Sequence, residues 1–366
     1  MRSILQTYLQ DKTAFYAYKH PADNQVHIDT IGKTARFDFN KLAEEKDSDA
    51  FVIFPFDSSD EKGGWYFTSE KQLVFQTPSK DATLSLPEPN TSQHFNEKQF
   101  EEYGKQFDKM MEGIKSNRVQ KVILSKSIQI KKSLENELPD IFVKLMSLYP
   151  KTFVFLISSP KTGVWMGASP ELLFSKEDQK CTTVSLAGTR SKHDDISSWT
   201  NKEIEEQSMV SDFIDNALEK HNIERYERSG PSMLKVGNLT HLKTIYQFNA
   251  PSDFHWGEFV KTLHPTPALC GEPQSKAMEL IREVETHGRE YYGGFLGPIS
   301  QNSIHLYVNL RSMKIEKNES TIYIGGGLTN QSNLKNEWKE LKLKSKTLLS
   351  AIQTKTQHFS QTINNE

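Results

Sequence analysis

Ser303-Ile-His-Leu-Tyr-Val-Asn-Leu-Arg-Ser-Met-Lys-Ile315, Ser320-Thr-Ile-Tyr-Ile-Gly-Gly-Gly-Leu-Thr329 and Leu334-Lys-Asn-Glu-Trp-Lys-Glu-Leu-Lys-Leu-Lys344 are three adjoining segments with three different periodicities. In the first, Ile304, Leu306, Val308 and Leu310 alternate with Tyr307, Asn309 and Arg311. That period of two predicts a strand with one buried face and Arg311 on the polar face. The second is a β-branched run ending in Gly325, Gly326 and Gly327, where missing Cβ atoms let a ligand approach the backbone. In the third, Leu334, Trp338, Leu341, Leu348 and Ile352 form a helical apolar stripe. Glu337, Glu340 and Lys344 fall on one narrow line beside it. On its own such a line is also the pattern of a solvated helix face with weak ion pairs. Beside a strand arginine and a glycine-lined turn it suits something more specific: carboxylates for a hard divalent cation, and Arg311 with Lys344 for an acidic ligand. The expectation is a small, multiply charged anion held partly through Mg²⁺.

The rest of the composition narrows the class. The chain has 366 residues, 45 Lys+Arg against 47 Asp+Glu and a formal net charge of -2, a balance that points to neither nucleic acid nor an anionic membrane surface. No apolar run reaches the length of a membrane span or a signal-peptide core. Cys181 and Cys270 are the two cysteines, too few for a disulfide framework or a zinc cluster of their own. A reduced, cytoplasmic protein is expected.

Residues 1–90 carry short aromatic and β-branched runs such as Phe51-Val-Ile-Phe54, broken by Gly, Asp, Ser and Pro, and read as a strand-rich N-terminal part of the fold. The segment Leu84 to Gln93 reads as a surface linker. Residues 91–366 then alternate helical and strand patterns. Amphipathic helices are expected over about 96–117, 139–148, 199–220, 256–263 and 275–286, and strands over 121–130, 152–158 and 239–248. Short strands with tight turns are expected from Gly163 to Leu186, and another strand after Tyr291. Hairpin-like strand runs with interspersed helices indicate an α+β fold rather than a regular parallel winding.

Ten ordered stretches then resemble the chorismate-utilising enzyme family. They are Gln120-Lys-Val-Ile-Leu-Ser-Lys126, Gly167-Ala-Ser-Pro-Glu-Leu-Leu173, Leu186-Ala-Gly-Thr-Arg190, Asn201-Lys-Glu-Ile-Glu-Glu-Gln207, Leu239-Thr-His-Leu242, Leu263-His-Pro-Thr-Pro-Ala-Leu-Cys-Gly271, Arg289-Glu-Tyr-Tyr-Gly-Gly294, Tyr307-Val-Asn-Leu-Arg311, Gly325-Gly-Gly327 and Glu337-Trp-Lys-Glu-Leu-Lys-Leu-Lys344. The resemblance implies large, mostly antiparallel sheets forming a sandwich with helices outside, and a catalytic region within 91–366. It also implies Glu206 and Glu340 as Mg²⁺ ligands, with Glu337 direct or through water. Arg311 and Tyr292 would hold the enolpyruvyl carboxylate, and Gly325 and Gly327 would give it backbone room. Lys344 would add a cationic contact, and Gly188, Thr189 and His241 would line the substrate. Histidines usually flank the family's helix glutamate, whereas Glu205 and Gln207 flank Glu206 here, and Lys126 stands where arginine is usual.

Lys121 marks the branch within the family. Members that add ammonia to the ring resemble one another in having Gln there; those that add water have Lys. The resemblance implies Lys121 as the base that takes a proton from water attacking ring C2, with its pKa brought down by burial or a nearby cation. Glu171 would be the acid that protonates the departing C4 hydroxyl, and must be kept neutral to do so. Ala268 and Leu269, after His-Pro-Thr, resemble the isochorismate synthases of menaquinone or siderophore type more than the salicylate synthases, which share base and acid but go on to eliminate pyruvate. A non-catalytic chorismate-binding protein would have no use for Lys121 and Glu171. The expected protein is a monomer acting on chorismate, with no glutamine amidotransferase partner.

Overall fold

The computed structural model describes residues 1–39, 49–77, 88–191 and 199–353. In chain order its elements are α1 Arg2–Gln10, β1 Phe15–Lys19, β2 Gln25–Arg36, β3 Ala50–Phe54, β4 Trp65–Gln76, α2 Glu97–Lys115, β5 Lys121–Ile130, α3 Leu138–Leu148, β6 Phe153–Ser159, β7 Gly163–Ser169, β8 Leu172–Glu177 and β9 Lys180–Ser191. They continue with α4 Asn201–Lys220, β10 Glu227–Val236, β11 Leu239–Asn249, α5 Trp256–Leu263, β12 Gly271–Glu272, α6 Gln274–Val284, β13 Phe295–Ile299, β14 Ser303–Val308, β15 Ser312–Ile315, β16 Ser320–Leu328 and α7 Leu334–Gln353. Part of the expected linker, residues 84–87 of 84–93, lies outside the described residues.

All sixteen strands join one ribbon, in the order β10-β11-β9-β8-β14-β13-β3-β4-β2-β1-β6-β7-β15-β16-β5-β12. The pairings are antiparallel, including those that tie the N-terminal strands to the rest, β1 with β6 and β3 with β13. The ribbon folds back on itself. Phe153 of β6 and Tyr307 of β14 belong to strands six places apart in the ribbon, yet their rings stack with centroids 4.1 Å apart. Strand alternation explains the layers. In β6, Phe153, Phe155 and Ile157 point to an aromatic cluster shared with Tyr16, Phe51, Phe67, Trp165, Tyr292 and Tyr323, which fills the space between the two halves of the ribbon. Val154 and Leu156 point the other way, into a larger apolar core shared with residues of all seven helices. The result is the expected α+β sandwich with helices outside.

Local chemistry sets the helix starts. The Asn96 side chain accepts from the Gln99 N–H at the start of α2, and the Thr200 N–H donates to Glu203 Oε2 at 2.8 Å at the start of α4.

One sequence expectation is corrected here, and one strand is added. The strand around Leu306 ends at Val308, so Leu310 and Arg311 do not continue its alternation. Arg311 instead has φ +48°, in the left-handed region. The chain turns there because β15 must leave β14 and pair with β7. β10 was not anticipated; eight of its ten residues, Glu227 to Met233 and Lys235, are exposed, so it lacks the apolar alternation that betrays a strand.

Candidate active site

One cavity gathers most of the expected site. Its walls include Glu171, Gly188, Thr189, Glu206, His241, Ala268, Leu269, Tyr292, Arg311, Gly325, Gly327 and Lys344, every substrate-binding residue named from the sequence. Lys121, Glu337 and Glu340 lie one layer behind. A wider groove between α2 and the outer end of β5 contains none of the expected residues.

Glycines make the walls thin. A Cβ on Gly325 would stand 2.9 Å from the Tyr292 hydroxyl, and one on Gly327 would stand 2.3 Å from Glu206 Oε1 and 3.2 Å from Lys121 Cε. Gly325, Gly326 and Gly327 pair with Ser125, Leu124 and Ile123 of β5. The three glycines therefore let the base strand, the Tyr292 turn and α4 close on one point. Gly188 acts differently. His241 pairs with Thr189 and Leu242 with Ala187, which leaves Gly188 as the extra residue of a bulge at φ +71°.

The Gly188 carbonyl lies 3.2 Å from His241 Nδ1. On the other side of the ring, Arg311 Nη2 lies 2.8 Å from His241 Nε2. Because a guanidinium can only donate, Nε2 accepts and the Nδ1–H donates. The imidazole is neutral: burial, and then the Arg311 charge, press its pKa well below the usual value. His241 thus aims Arg311 into the cavity, where buried Nη1 has no hydrogen-bond partner. A buried, unpaired cationic donor at such a wall suits a carboxylate.

Glu171 and Lys121 are buried and electrostatically opposed to their ordinary states. Burial pushes the Glu171 carboxyl up to about 8, against the pull of Lys121, Lys344 and Arg311. The acid is therefore neutral near pH 7. Burial drives Lys121 the other way, to a lowered pKa, despite the opposing charges of Glu206 and Glu171. Its Nζ sits 3.3 Å from Glu206 Oε1 but makes no aligned hydrogen bond.

The three acids expected to hold metal do not stand bare. Glu206 faces Lys121, Glu337 accepts from Lys202 Nζ at 2.6 Å, and Glu340 Oε1 lies 2.7 Å from Lys344 Nζ, which also donates to the Gly325 carbonyl at 2.8 Å. Among the described residues no three His, Cys, Asp or Glu side chains converge as a metal site. The donor set nevertheless fits a hard cation. Glu337 is 1% exposed, and its Oε2 is buried with no hydrogen-bond partner. A Cβ on Gly326 would meet that oxygen at 3.6 Å and Glu340 Oε1 at 3.9 Å, so both carboxylates front the same gap. Burial, and then the charge of Glu340, raise the Glu337 pKa, the mark of two anions in need of a cation. A divalent ion would be held by Glu206, Glu337 and Glu340.

Two residues of this site were not singled out from the sequence. Gln207 is buried and spans α4 to the sheet: Oε1 accepts from the Ala187 N–H at 2.9 Å, and Nε2 donates to Ser185 Oγ at 2.7 Å and Thr244 Oγ1 at 3.1 Å. This fixes the rotation of α4 and turns the neighbouring Glu206 into the cavity. Lys202 stands four residues before Glu206, the i,i+4 spacing that could have flagged it.

The fold and the site define a buried, glycine-walled pocket whose unpaired Arg311 donor suits a carboxylate. The chorismate binding enzyme family matches residues 54–353, and the chain belongs to that family. Isochorismate synthase EntC of Escherichia coli (strain K12) is 29% identical over 245 residues, 64% of this chain and 63% of that one. The match thus spans less than two thirds of the relative's length. Among solved structures, menaquinone-specific isochorismate synthase MenF of Escherichia coli superposes with a TM-score of 0.76 at 19% identity, covering 95% of this chain and 91% of that chain. Anthranilate synthase component I of Streptococcus pneumoniae gives 0.70 at 17%, covering 92% and 90%. At such identities these two likenesses establish the fold.

Proposed function

We propose that this protein is a Mg²⁺-dependent isochorismate synthase, converting chorismate to isochorismate. The observation that carries the proposal is a buried acid held neutral, Glu171 in the cavity wall, electrostatically coupled to a buried lysine of lowered pKa, Lys121, one layer behind that wall. In the proposed reaction Lys121 removes a proton from water as its oxygen bonds to ring C2. The ring π electrons shift, the C4–O bond breaks, and Glu171 gives its proton to the departing hydroxyl, so one water enters and one leaves. Arg311 and Tyr292 hold the enolpyruvyl carboxylate. Glu206, Glu337 and Glu340 would hold Mg²⁺, which would supply Lewis-acid charge stabilisation at the ring carboxylate. The relatives' names agree with the reaction: EntC and MenF are both isochorismate synthases.

Ala268 and Leu269 contribute apolar surface at the cavity and offer no hydroxyl to steer the side chain toward pyruvate loss. The test is to incubate the protein with chorismate and Mg²⁺ and separate the products. Isochorismate in a reversible mixture with chorismate is expected. Equal release of salicylate and pyruvate would make it a salicylate synthase, and binding without turnover would leave a chorismate-binding protein.

A further inference from the structure

Lys202 occupies an unusual place. Its Nζ lies 2.6 Å from Glu337 Oε1, and the charges that act on it most strongly after burial are Glu337, Glu206 and Glu340, in that order. One ammonium therefore sits in the field of all three carboxylates expected to bind the metal. Lys121 and Lys344 each face one of these acids at short range and are anchored elsewhere, Lys121 by complete burial and Lys344 by the Gly325 carbonyl. Among the described residues Lys202 has no hydrogen-bond partner besides Glu337, and its side chain is 18% exposed against 1% for Glu337. It can swing to solvent without dismantling the cavity, and it starts from the first turn of α4, one helical turn before Glu206.

We propose that Lys202 is a resident counter-ion that holds the carboxylate cluster together in the metal-free protein and must be displaced when a divalent cation binds, so that it sets the metal affinity of the site. The reasoning is a balance of charge. Three gathered carboxylates without a cation repel one another, and Lys202 offsets that repulsion in the empty site. A divalent cation gains the same carboxylates but has to evict a charged group from a 2.6 Å contact, which weakens its net binding. The ammonium stays protonated throughout and moves as a charged group. A fixed competitor of this kind tunes the cation concentration at which the site fills, with no change to any ligand. The inference rests on the metal site of the proposed function, and it is tested by binding alone.

The experiment titrates Mg²⁺ into the full chain without substrate by calorimetry, with Mn²⁺ bound in parallel and counted by electron paramagnetic resonance. Lys202→Gln removes the charge while keeping a polar side chain of similar length. It should tighten Mg²⁺ binding by at least about tenfold and should lower the melting temperature of the metal-free protein while enlarging the rise on adding Mg²⁺. Lys202→Arg retains a competing cation and should show no such tightening. If wild type binds Mg²⁺ and Lys202→Gln binds it equally or more weakly, Lys202 orients Glu337 as part of the site and the counter-ion proposal is overturned while the metal site stands. If neither protein binds Mg²⁺ or Mn²⁺, the metal reading falls and takes this proposal with it.

Discussion

Glu171→Gln should make the protein more stable and far less active at the same time. The amide keeps the shape of a neutral carboxyl but has no proton to give. With its pKa raised to about 8, about nine in ten Glu171 side chains carry the proton at pH 7. The variant should therefore lose roughly two to four powers of ten in kcat, the usual worth of a positioned acid. The sign of the stability effect follows from linkage. A carboxyl whose folded pKa lies above its ordinary 4.5 favours folding fully below that value, and the contribution is lost as pH rises toward 8. Between pH 4.5 and pH 7 the wild type should lose about 3 kcal/mol that the glutamine variant keeps. Any constant packing difference between acid and amide cancels when the same pair is compared at two pH values. Urea unfolding of both proteins at the two pH values, beside product formation from chorismate at pH 7, makes the measurement. A variant within tenfold of wild-type kcat, or a stability gap that does not widen with pH, would show that Glu171 is neither the acid nor held neutral.

Lys121→Ala should lower kcat by roughly two to four powers of ten with little change in chorismate affinity; near-wild-type kcat would mean the base lies elsewhere. Gly327→Ala places a methyl 2.3 Å from Glu206 Oε1, which the flexible Glu206 side chain can yield to. The unfolding midpoint should barely move while kcat/KM falls about a hundredfold or more, and a fully active, equally stable variant would contradict the packing described. Chelation of divalent cations should stop turnover and Mg²⁺ should restore it, whereas full activity after thorough chelation would remove the metal from the mechanism.

Periodicity made much of this legible. The apolar spacings of residues 97–115, 201–220 and 334–353 fixed three helices to within a few residues, because each buries a stripe against the sheet. β2 and β4 extend to twelve residues each, longer than their apolar runs, because the exposed half of each strand pairs with the buried half of the other. Arg311 was recognisable as a site residue, but its backbone was not: the left-handed turn is imposed by β15 leaving β14. Spacing along α7 put Glu337, Glu340 and Lys344 on one line, and it could not reveal that Glu337 is buried against a lysine of another helix. The importance of Gln207 was hidden for the same reason, since its partners lie on β9 and β11.

The seam between β16 and β5 has a consequence for how the protein comes into being. Gly325 meets Ser125 across about two hundred residues of chain, so the wall between base and ligand cannot close until nearly all of the described chain has been made. Contacts of such separation form slowly. Until then the β16 side of β5 stays unpaired, an edge that invites wrong pairing. Catalytic competence should consequently appear in a single late step of refolding, with no partly active intermediate. Early helices and hairpins would form first, and chorismate would find no site on them.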